Sequence, residues 1–134
     1  MNVRPRTRLL FHLSYRASLS LQRCEMAAPT SDKLVKLQHL LEKQPRDAFL
    51  LYGMGMEYKK LTDYVRAIEH FDRVIEVDPN YCYAYFQRGQ AHELLGQSEA
   101  ASASYRAGIE AAERARDAHA KEELTAALEM LESV

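Results

Sequence analysis

Five histidines, two cysteines, a handful of serines and paired glutamates are the residues of this chain that could hold a metal or start a reaction. Their spacing works against both. No two of His12, His39, His70, His92, His119, Cys24 and Cys82 fall three or four positions apart, the interval that sets two ligands on one helix face. There is no Cys-x-x-Cys pair, and Cys24 and Cys82 lie in unlike segments, so the expectation is two free thiols in a reducing compartment. Gly53-Met54-Gly55 lacks the Lys-Ser/Thr that follows a phosphate-binding loop. Glu122-Glu123 reads as a solvated helix face, and Ser98, with Ser102 and Ser104 behind it, reads as a helix cap. No catalytic, metal or cofactor site is expected.

Charge narrows the partners. The chain totals −1, yet residues 1–24 hold Arg4, Arg6, Arg8, Arg16 and Arg23 with no acid; the other 13 lysines and arginines face 19 acids, leaving −6 on the remainder. An acidic body lacks the clustered basic face that phosphate backbones require, so no nucleic-acid partner is expected. No apolar run approaches the roughly 20 residues of a membrane helix; the longest candidates are Leu9–Leu13 and Phe49–Tyr52. No membrane partner is expected either.

Helices must position whatever does function. Leu51, Met54, Gly55 and Tyr58 recur at i, i+3, i+4 and i+7, one face of a helix. Leu61-Thr62-Asp63-Tyr64 makes a short turn with Asp63 as N-cap. A second helix then carries Ala67, Ile68, Phe71, Val74 and Ile75, and Asp78-Pro79-Asn80 stops it. The chain repeats this plan at an offset of 34: Gly55 aligns with Gly89, Leu61 with Leu95, Ala67 with Ala101, Phe71 with Tyr105 and Ile75 with Ile109. A period in that range means stacked supersecondary units. Small Gly55 and Ala67 mark a close helix crossing, and Phe71 fills the space beyond it.

These residues resemble the tetratricopeptide repeat family. Leu51, Met54-Gly55, Tyr58, Ala67, Phe71, Val74 and Pro79 match its pattern over 48–81, and Tyr85, Gly89, Gly96, Ala101, Tyr105 and Gly108 over 82–115. The second unit departs at Arg88 and His92, and has Glu113 where the closing proline belongs. Without that proline its second helix, starting near Ser98, should run on to about Ala115, with a break at Arg116-Asp117. Residues 118–132 form a last amphipathic helix with Leu124, Leu128 and Leu131 on one face and charge on the other, as a capping helix needs. Pro45 precedes Pro79 by the same 34, so residues 33–43, with Leu34, Leu37, Leu40 and Leu41, read as the second helix of a repeat whose first is degenerate or absent. The expected fold is all-α: a leading helix, two hairpins and a capping helix across residues 32–132.

The resemblance also implies a site. In this family the first helices of successive hairpins line a concave face, which here carries Phe49, Tyr52, Met56, Lys59 and Lys60, then Tyr83, Phe86, Gln90, Glu93 and Leu94. Aromatic side chains are rigid interface anchors, and methionine adapts to varied shapes. Phe49 and Tyr83 have an alternative use as packing between hairpins. Members that capture a chaperone's acidic C-terminus use a clamp of Lys, Asn and Arg; Tyr52 and Met56 stand where that clamp has Lys and Asn. The expectation is therefore an adaptor or scaffold holding an apolar or aromatic polypeptide segment, with a homodimer through the same groove as the alternative.

Residues 1–31 show no sustained helical period and read as a disordered or processed extension; Met26 looks like a natural beginning, and the arginine- and serine-rich stretch before it also fits a mitochondrial presequence. The expected compartment is cytoplasmic, or mitochondrial if that presequence is genuine. Because the extension has no apolar period with which to pack, deleting residues 1–25 should leave the thermal transition, followed by far-ultraviolet circular dichroism, nearly unchanged. A large loss of stability would show that the domain starts earlier.

Overall fold

The computed structural model describes residues 30–134, so the reading of residues 1–29 as an extension lies outside the described residues. The described residues form six helices and no strand: α1 (Asp32–Lys43), α2 (Ala48–Lys60), α3 (Tyr64–Val77), α4 (Cys82–Leu94), α5 (Ser98–Ala115) and α6 (Ala118–Glu132). Two kinds of joint alternate. Between α1 and α2, and between α3 and α4, the residue before the proline (Gln44 or Asp78) leaves the helical region, at φ −134° and −136°, because proline's ring bars it from that region. Between α2 and α3, and between α4 and α5, one residue turns left-handed: Thr62 at φ 62° and Gly96 at 74°. Both turns close alike, with Asp63 N–H on Tyr58 O and Gln97 N–H on His92 O. Glycine takes that conformation freely, whereas a β-branched threonine costs about 1–2 kcal/mol there.

Where the second proline is missing, α5 extends to 18 residues against 14 for α3. It ends in the hairpin type of turn instead, with Arg116 at φ 56° and Asp117 N–H on Ala112 O. Asp47, Asp63 and Asp117 each cap the following helix by accepting a backbone N–H. Ser98 does not cap α5 as expected: Gln97 holds the cap position without a side-chain bond, and Ser98 is already the first helical residue.

Each helix packs on its neighbours in sequence, and among the described residues the only other helix contacts are α2 with α4 and α4 with α6. α1, α3 and α5 do not touch one another, so the stack bends toward the α2–α4–α6 row. Two apolar clusters fill it. Leu34, Leu41, Leu51, Met54, Val74 and Ala84 form one; Cys82, Tyr85, Ala101, Tyr105, Ala111, Ala112, Ala120 and Leu124 form the other. Leu128 and Leu131 pack against the second, as the capping-helix reading requires. Leu40 departs from its expected role, since it is 46% exposed. Among the described residues α1 has a single helix to lie on, and a face four leucines wide is broader than one contact covers.

The crossings are tight because they lack side chains. A Cβ on Gly55 would sit 2.6 Å from Cε1 of buried Phe71, and one on Gly89 would overlap the ring of buried Tyr105. Arg88, the apparent departure from the family pattern, is a tie: its Nη1 donates to Asp72 at 2.7 Å, its Nε to Ser104 at 3.0 Å, and its guanidinium lies 5.5 Å from the Tyr85 ring centre. Glu57 is buried at 4% exposure where the repeat-equivalent residue is Ala91. The start of α1 neutralises it, with Ser31 Oγ donating to Oε1 at 3.0 Å and Lys33 Nζ 3.6 Å from Oε2.

Gly55→Leu and Ala67→Leu should each lower unfolding free energy by about 1–3 kcal/mol, because overpacked crossings must shift. Phe71→Ala should cost about 3–5 kcal/mol through the cavity it leaves. Urea denaturation reads all three, and near-neutral effects throughout would sink the crossing geometry.

Candidate functional site

The inner row brings the sequence-predicted residues onto neighbouring helices, but not on equal terms. Phe49, in the first turn of α2, is 74% exposed, and Tyr83, in the first turn of α4, is 38% exposed. Tyr52 and Phe86 are half-buried and belong to two surfaces at once. The Tyr52 ring lies 5.8 Å from Phe71 and 5.1 Å from Tyr81; Phe86 lies 6.0 Å from Tyr105. Each ring therefore packs on the core with one side and stays partly open on the other. Met56 is half-buried beside them.

Toward the C-terminal ends of α2 and α4 the face becomes polar. Lys59 is half-buried and donates to Gln87 Oε1 at 2.6 Å and Gln90 Oε1 at 2.5 Å, while Lys60 points to solvent. Lys59, Gln90, Glu93 and Leu94 line an open depression of about 440 Å³. Glu93 accepts a short hydrogen bond from the Tyr105 hydroxyl. Burial holds the Lys59 ammonium below the ordinary lysine pKa. The charged form is thus disfavoured in the folded state, and that penalty disappears as pH rises from the lowered value through the unfolded one. Burial, followed by the nearby Tyr81, raises the Tyr52 hydroxyl, and Gln87 works the other way. Burial together with Glu93 raises Tyr105.

Gln87 and Tyr81 escaped the sequence reading, which took only positions that a single ideal helix turns outward. The signal for Gln87 was its place one turn before Gln90 on the same helix. Among the described residues no three of His, Cys, Asp and Glu gather as a metal site, and no helix is long and apolar enough to cross a membrane.

Stacked helical hairpins with an aromatic inner row define a repeat protein of the α-solenoid class. The tetratricopeptide repeat pattern matches residues 48–81 and, in a second version, residues 70–101. A TPR repeat-containing protein of Pseudomonas aeruginosa is 31% identical over 96 residues, covering 72% of this chain and 91% of that protein. A tetratricopeptide repeat domain protein of Salinibacter ruber, solved in solution, is 30% identical with a TM-score of 0.64, covering 67% of this chain and 91% of that one. The TPR2B domain of yeast Sti1, solved in complex with pHsp70, is 18% identical with a TM-score of 0.70, covering 75% and 80% of the two chains. The chain belongs to the tetratricopeptide repeat family.

The two-sided aromatics give a graded expectation for stability. Tyr52→Ala and Phe86→Ala should each cost about 1–2 kcal/mol in urea denaturation, roughly half the penalty for emptying a fully buried aromatic site. Phe49→Ala should stay within about 0.5 kcal/mol, as exposed substitutions do. Equal costs at all three would contradict the observed exposures.

Proposed function

We propose that this protein is an adaptor or scaffold, without catalytic activity of its own, that holds an extended polypeptide segment on the inner face of the α2–α4–α6 row. The observation that carries this reading is the placement of the aromatics. Phe49 and Tyr83 stand exposed on adjacent inner helices, with the free sides of Tyr52, Met56 and Phe86 between them. Exposed aromatics on a rigid scaffold provide contact area at low entropic cost. The solved complex of the yeast Sti1 domain with pHsp70 supports the reading by analogy of fold.

Phe49→Ala and Tyr83→Ala are the cleanest tests, because their exposure separates binding from folding. With a captured partner peptide in hand, each should weaken affinity by about ten- to a hundred-fold in calorimetry, while Lys60→Ala at the rim mainly alters association rate and salt dependence. Sedimentation at several concentrations distinguishes the homodimer. A tight dimer with Phe49 and Tyr83 covered would replace the adaptor reading, and a strict monomer would remove the dimer.

A further inference from the structure

Lys59 is a half-buried ammonium that pairs with neutral side chains, and the Glu93 carboxylate that shares its depression is turned to another donor. It enters none of the ion pairs among the described residues. Its two partners are the neutral carboxamide oxygens of Gln87 and Gln90. An ammonium has three N–H donors and these bonds use two. With both carboxamide oxygens turned to Lys59, the third N–H of the ammonium is the donor left for an acceptor that a ligand brings. The one carboxylate lining the depression, on Glu93, is held by the Tyr105 hydroxyl. A carboxylate brought by a ligand would meet a charge-assisted bond in a partly desolvated setting, where such bonds are strongest.

The position adds a spacing. Tyr52 and Lys59 are seven residues apart on α2, two turns or about 10 Å along the helix. An extended chain covers that in about three residues. Leu94, 56% exposed, leaves the far rim open, so a chain can pass over Lys59 without ending there. We propose that Lys59, flanked by Gln87 and Gln90, is an acid-recognition subsite for an internal Asp or Glu of an extended ligand whose large apolar residue lies three positions away on the aromatic end. The inference rests on the groove reading above and names the ligand's chemistry within it.

The test uses the full chain and two pools of acetylated, amidated nine-residue peptides. Both fix Phe at position 4 and randomise the rest among small neutral residues; one fixes Glu at position 7 and the other Gln. Fluorescence anisotropy should show the Glu pool binding about ten-fold tighter. Lys59→Gln should abolish that preference, Lys59→Arg should keep part of it, and Lys36→Gln, on the exposed face of α1, should leave it. Carbon-13 NMR of the Lys59 Cε should show its titration move upward when the Glu pool is added and stay put with the Gln pool. Equal binding of both pools overturns the subsite and leaves the groove reading standing. Binding of neither overturns the groove reading and the subsite with it. A preference that survives Lys59→Gln puts acid recognition elsewhere. Tighter binding when the peptides stop at position 7 with a free carboxylate overturns the internal-acid assignment in favour of a chain end.

Discussion

Where α2 crosses α3, the Phe71 ring lies against the backbone at Gly55, with no room between them for a single methyl group. The same contact recurs between Gly89 and Tyr105 one repeat later, and Gly108 gives way to Leu124 and to the Cβ of Tyr85 where α5 meets its neighbours. Each close approach lets a large side chain fill the crossing completely, and Phe71 and Tyr105 are accordingly inaccessible to water. Close packing of this kind is indifferent to what the outer faces carry. The inner row can therefore hold partly exposed aromatics and a half-buried lysine without loosening the crossings.

Much of this was legible in residue order. Asp63, Pro79 and the absent proline at Glu113 mark helix ends through local chemistry, which acts over a few residues whatever the rest of the chain does. The small-large pairing of Gly55 with Phe71 was legible too, because a period of 34 writes it twice. The degree of burial was not. Tyr52 sits where two hairpins meet, and a single-helix projection cannot show that its ring leans across the seam onto Tyr81, or that Phe86 reaches Tyr105 on the other helix of its own hairpin. Glu57 shows the same gap: its helix position reads as core, its side chain as surface, and only the arrival of Ser31 and Lys33 from α1 reconciles the two. Leu40 errs in the other direction, since helical periodicity records where apolar residues lie and not whether a second helix is there to cover them.

The inner face divides its work along the helix axis. Its N-terminal half is aromatic and shares its rings with the core, so shape there is fixed by packing. Its C-terminal half is polar: Gln87 and Gln90 from α4 fix Lys59 from α2. Those bonds cross between hairpins, and hold the neighbouring inner helices in one register before any ligand arrives. A pre-set spacing between an apolar wall and a charge lowers the ordering cost of association.

Among the described residues helix contacts reach no further than the next helix or the next inner helix, which has a consequence for how the molecule comes apart. In such a stack the ends can open while the middle stays folded. Among the described residues α1 touches α2 alone, so its detachment from them is a local event that leaves both glycine–aromatic crossings untouched. What it uncovers is a mixed surface. Leu51 and Met54 lose cover, but the Glu57 carboxylate gains water, and its hydration offsets part of the apolar exposure. Detachment of the leading helix would therefore bare a carboxylate amid the leucines, a surface less uniformly apolar than the buried cluster alone suggests.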